Sequence, residues 1–138
     1  MKIVILIMLG FSFLLADYIK KGDTVRDTES HLIWQDNDAV ETKELLYIEA
    51  KRYCEELTLA GSKDWRLPTI TVLQKIVDFK RYNPSIKRTF HHMDMEKYWS
   101  STIYAGDSDR AWAVDFTSGT STHNRDSYKY RVRCVRQK

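Results

Sequence analysis

The sequence predicts an α+β fold, two helices packed on short antiparallel sheets with long loops, and three observations predict it. Apolar residues recur at helical spacing only in two central stretches. Alternating, β-prone stretches flank them on both sides. One helical stretch and the last alternating stretch each carry one of the two cysteines on the apolar side. A length of 138 residues suits one modest core, and residues 17–138 are expected to form one domain.

The first sixteen residues, MKIVILIMLGFSFLLA, set Lys2 before an apolar run from Ile3 to Leu15 and end on Ala16. This is the layout of an export signal over residues 1–16, with cleavage before Asp17. A membrane-spanning helix needs about 20 apolar residues, and the polar stretch DYIKKGD arrives too early for one. The expected product is exported, to periplasm, cell surface or medium, and keeps no membrane span after cleavage. No cysteine follows the apolar run, so no lipid anchor is indicated.

After the signal, TVRDTESHLIWQD holds two short β-prone runs, near Thr24 to Arg26 and Leu32 to Gln35, around the turn-forming DTES. An opening hairpin is expected. In ETKELLYIEAKRYCEELTLAG, Leu46, Ala50, Tyr53, Cys54 and Leu57 form one helical stripe, and Gly61 is the expected C-terminal stop. A second, shorter helix follows in LPTITVLQKIVDF: Thr69 caps it through its hydroxyl, and Ile70, Leu73, Ile76 and Val77 line its apolar face. No third helix is expected. Asn83-Pro84 opens a long irregular segment.

The remainder reads as strand. YWSSTIY is β-prone, and AWAVDF alternates so that Trp112, Val114 and Phe116 share a face before the reversal TSGT. YKYRVRCV sets Tyr128, Tyr130, Val132 and Cys134 on one face, with Lys129, Arg131, Arg133 and Val135 on the other. Helix and strand both aim a cysteine inward, and an exported domain meets an oxidising compartment, so Cys54 is expected to bond to Cys134. Two reduced buried thiols are the alternative.

The formal net charge of +3 gives no case for nucleic acid. Residues 17–64 carry twelve acids against seven bases, whereas residues 125–138 carry six bases against Asp126 alone. The basic stripe either attracts acidic glycans or pairs with the acidic half, and the pairing is the simpler reading. Trp34, Trp65, Trp99 and Trp112 fall where a fold of short elements needs large anchors, and they are expected to be structural. Arg66, beside Trp65, joins them, pairing or bonding to backbone with Asp64 at the second helix's entrance.

Six stretches in order, HLIWQD, DWRLPT, NPSI, YWSST, AWAVDF and VRCVR, resemble the bacterial domain found at the C-terminus of the Legionella collagen-like adhesin, over about Thr24 to Arg136. The resemblance implies a C-type-lectin-like fold in which a disulfide ties the first helix to the last strand. Two positions depart from the family pattern. His31 stands where Gly is common before a leucine, and Val72 stands where a Glu often completes the box that Thr69 opens. The resemblance supplies no catalytic position.

No calcium-lectin motif of the EPN or QPD kind occurs in the sequence, so calcium-dependent sugar binding is not expected. HHMD at residues 91–94 reads as loop histidines rather than a metal site, because no diagnostic ligand spacing accompanies it. Ser100 and Ser101 lack a nucleophile context, and no cofactor or enzymatic activity is expected. Three polar, aromatic-bearing segments, 86–97, 104–110 and 121–128, are expected to make one variable loop face. It would bind a glycan or an envelope or host protein, with His91, His92, Tyr104, Asp109, Arg110, His123 and Arg125 as contact residues. An assembly component of the envelope is the alternative.

Overall fold

The first and last strands lie in one antiparallel sheet of order β1 (Tyr18–Lys21), β2 (Thr24–Asp27), β3 (Leu32–Gln35) and β7 (Val135–Gln137). Between β3 and β7 come α1 (Ala39–Thr42), α2 (Tyr47–Glu56), α3 (Ile70–Gln74) and a second antiparallel sheet, β4 (Lys97–Ile103), β5 (Arg110–Asp115) and β6 (Thr120–Arg125). The computed structural model describes residues 3–5, 10 and 17–138, so the signal expected over residues 1–16 lies outside the described residues apart from those four. The α+β class holds, with few helices and two antiparallel sheets. No helix among the described residues is long and apolar enough to cross a membrane.

The expected opening hairpin is β2 and β3, with Val25 opposite Trp34 and Arg26 opposite Ile33. Its turn is held by Asp27, whose carboxylate accepts the N–H groups of Glu29 and Ser30 and the Ser30 hydroxyl. His31 closes the turn with φ 61°, the left-handed conformation that glycine adopts without penalty. We expect His31→Gly to stabilise the protein by about 0.5–1 kcal/mol, the relief of strain exceeding the entropy glycine adds to the unfolded chain. Urea denaturation checks this, and a lower midpoint would contradict it.

α2 carries the expected stripe, with Tyr47, Ala50 and Cys54 buried. It ends at Glu56, however, five residues before Gly61. Leu57 turns extended, and Leu57 and Leu59 are packed against the core instead of continuing the helix. Ala60 (φ 51°) and Gly61 (φ 78°) then form a two-residue turn, with Leu59 and Ser62 exchanging both backbone hydrogen bonds at 3.0 Å. α3 begins as expected: Thr69 Oγ1 accepts the N–H of Val72. Its helix covers five residues, and Ile76 and Val77 are buried just beyond it.

α1, β1 and β6 are additions to the expected elements. α1 is four residues long, about one turn, too short for a period to show in sequence. β6 is polar along its length (TSTHNR) because it pairs only with β5, at the sheet's edge. Residues 121–125, expected as loop, are therefore strand.

β4 explains how short polar stretches can carry the largest side chains. Consecutive residues of a strand point to opposite faces, and Tyr98 and Trp99, both fully buried, enter two different core clusters. Tyr98 joins Val25, Trp34, Val40, Leu73 and Phe116. Trp99 joins Tyr47, Trp65, Ala111, Ala113, Val132 and the cysteines. Both indole N–H groups of the second cluster find backbone acceptors, Trp99 on Leu45 and Trp65 on Ser62. Trp34 is also fully buried, whereas Trp112 is only half-buried. Arg66 contributes by its backbone, which pairs with Val135 in both directions, while its side chain is exposed.

Cys54 and Cys134 are disulfide-bonded, with Cα atoms 5.4 Å apart across a sequence separation of 80. The last segment is not the continuous strand that its alternation suggests. Only Val135–Gln137 forms a ladder, and Tyr130 and Arg131 make single bridges to Leu45 and Tyr98. The pairing of the basic stripe with the acidic half holds for three of its cations: Arg131 meets Glu44 at 3.5 Å, Arg133 meets Asp36 at 3.2 Å and Arg136 meets Asp64 at 2.6 Å, while Arg131 also meets Asp94, outside that half, at 2.8 Å.

Candidate functional site

Five of the seven expected contact residues converge where β4 ends. The loop after β4 is tight: Tyr104 donates its N–H to Arg110 O, Asp107 donates to Tyr104 O, and Arg110 donates to Asp107 O. The side chain of Asp107 accepts the N–H of Asp109 at 3.0 Å and lies 3.8 Å from Arg110 Nε. These bonds fix the loop as a rigid corner.

The register of β5 against β6 then sets the side chains. Trp112 lies opposite His123 and Arg110 opposite Arg125. The Tyr104 ring stacks on the His123 imidazole with centroids 3.9 Å apart and planes 3° from parallel. Trp112 stands edge-on to both, at 5.7 and 5.3 Å. Gly106 is needed beside this stack, since a Cβ there would lie 2.8 Å from the Tyr104 ring. Asp126 N–H bonds to Asp109 O, which ties the loop to the residue following Arg125. The result is an aromatic triad bordered by two arginines and held on a rigid sheet end. Trp112, expected as an anchor, is part of this surface.

His91 and His92 lie elsewhere. Their loop runs into the start of β4, whereas Tyr104 follows its end, and seven strand residues separate the two by about 20 Å. The backbone N–H groups of His91 and His92 both donate to the Asp36 carboxylate at 3.0 Å. Asp36, fully buried, also takes Lys20 Nζ at 2.6 Å and the Arg133 guanidinium. Arg133, equally buried, donates further to Gln35 O and His92 O and lies over the rings of Phe90 and Tyr98. Burial alone would raise the Asp36 carboxyl. The His91 N–H, the Lys20 ammonium, the Arg133 charge and the His92 N–H outweigh it and hold the group below the ordinary carboxylate range. This node pins the loop that carries the two histidines.

Neither half of the node was apparent in the sequence, although Asp36 ends HLIWQD and Arg133 sits in VRCVR. Alternation places Arg133 on the face opposite Cys134, and that face is solvent only if nothing covers it. Here the loop before β4 covers it. The serines of YWSST are structural: Ser100 Oγ is buried and donates to Trp112 O at 2.6 Å, and Ser101 O accepts the Tyr47 hydroxyl.

The family model of the Lcl C-terminal domain matches residues 23–136, from just before β2 into β7. Among curated proteins the sequence has no match.

Proposed function

We propose, from the premise that this chain belongs to the Lcl C-terminal domain family, that it is an exported module that binds a glycan through the surface at the end of β4, without calcium. The family is one of non-catalytic adhesin domains, so recognition rather than turnover is the activity to explain. The Tyr104–His123–Trp112 triad carries the reading. Aromatic groups held rigid on a scaffold offer apolar area to the C–H faces of sugars at low entropic cost, and Arg110 and Arg125 supply forked donors beside them. Calcium independence is supported by Asp107, whose carboxylate already serves Asp109 N–H and Arg110. A C-type-lectin-like fold is supported by the disulfide between α2 and the segment entering β7. His91 and His92 belong to the other end of β4 and are not part of this surface.

The test is capture on a glycan array that includes acidic polysaccharides, with and without chelator. Arg110→Ala, Arg125→Ala and His123→Ala are expected to weaken capture about tenfold or more while leaving the thermal midpoint in place. Capture that survives all three substitutions would reject the surface. Loss of folding alongside loss of capture would mark these residues as scaffold, and capture of an envelope or host protein alone would replace the glycan.

A further inference from the structure

We propose that Asp38, Glu41 and His92 form a binding site for a divalent transition metal of the zinc class. Asp38 immediately precedes α1 and Glu41 lies three residues later, which sets both carboxylates on one side of the turn. His92 reaches them from the loop before β4. One ligand atom from each residue lies within 4.8 Å of the other two.

The distances suit a metal ion better than a single short hydrogen bond. His92 Nδ1 is 3.4 Å from Asp38 Oδ1 and 3.4 Å from Glu41 Oε1. A charge-assisted N–H···O bond is about 2.7–2.9 Å long, and a single N–H cannot point at two carboxylates equally. A zinc ion about 2.0–2.1 Å from each ligand atom gives tetrahedral ligand-to-ligand edges of about 3.4 Å. The imidazole nitrogen is thus one tetrahedral edge from both oxygens.

The charge balance points the same way. No Lys or Arg among the described residues pairs with Asp38 or Glu41, whereas Asp36 close by has both Lys20 and Arg133. Hydrogen bonds also hold two of the three residues in place. Met93 N–H donates to Glu41 Oε1 at 2.9 Å, and His92 is fixed by its own N–H on Asp36 and its carbonyl on Arg133. Asp38, its side chain 91% exposed, already holds Oδ1 3.4 Å from His92 Nδ1 and leaves the ion open to solvent on its side. A nitrogen ligand disfavours calcium and magnesium, which take oxygen donors. The fourth position would face solvent.

Titration of the metal-free protein with Zn2+ alone, followed by calorimetry and by the nitrogen chemical shifts of the histidine rings, tests the site. One equivalent is expected to bind, with the large shift on His92 Nδ1 and a rise in thermal midpoint. His92→Ala, Glu41→Gln and Asp38→Asn are each expected to weaken uptake about tenfold or more, while His91→Ala leaves it unchanged. Asp38→Asn keeps the test clear of misfolding, because that side chain is almost wholly in solvent. No saturable uptake, or uptake that persists in these variants or moves with His31 or His123 instead, would overturn the site.

Discussion

A Cys54→Ala/Cys134→Ala variant is expected to lose about 4 kcal/mol of stability, because the bond closes a loop of 80 residues and removes that much chain freedom from the unfolded state. A chain of this size has roughly 5–15 kcal/mol in total, so the loss would leave it marginal at growth temperature. The mechanism predicts more than a magnitude. Either single substitution should cost nearly as much as the double, since one missing sulfur opens the loop as fully as two. Reduction of the wild type should lower stability by a similar amount, the free thiols remaining as small apolar groups among Trp99, Ala50 and Val132. Urea denaturation with and without reductant measures both. A double variant within about 1 kcal/mol of wild type would show that α2 and the terminal segment are held by packing alone.

The sequence made that bond legible because each cysteine sat on a local period, one helical and one alternating, whose buried side could be read without tertiary knowledge. The same holds for the β2–β3 hairpin and for the Thr69 cap, both determined within a few residues, whereas His31 stands out only against the family pattern and its positive φ only in the structure. What stayed hidden depended on a second element. The helix after Leu46 runs to Gly61 in the sequence pattern because nothing local says that Leu57 and Leu59 gain more burial by leaving it. β6 has the sequence pattern of a loop because an edge strand need not be apolar. The three loops expected to share one face were placed by polarity, and polarity does not say which end of β4 a loop meets. Tyr104, Asp109, Arg110, His123 and Arg125 do converge, since they flank one strand pair, but His91 and His92 are carried away by the bonds of their backbone to Asp36.

Arg133 illustrates the same limit most sharply and supports the other large prediction. Read as a member of an exposed basic stripe, it would tolerate substitution within about 0.5 kcal/mol. Buried as it is, Arg133→Met is expected to cost about 3–5 kcal/mol, because Asp36 then keeps its charge in the core with only Lys20 and two backbone N–H groups to answer it. Asp36→Asn should cost a comparable amount by the converse fault, a guanidinium buried over Phe90 and Tyr98 without its counter-ion. The Arg133→Met/Asp36→Asn double variant should be less damaged than the sum of the two, since neither leaves an unanswered charge for the other to suffer. The node also holds the loop before β4, so amide exchange at His91 and His92 should accelerate in each single variant more than at Val25 or Trp34, which lie in the sheet. Denaturation of the four proteins and exchange at those amides decide it. Additive costs, or an Arg133→Met variant as stable as wild type, would mean that the loop is held by its apolar contacts and that the buried charges only accompany it.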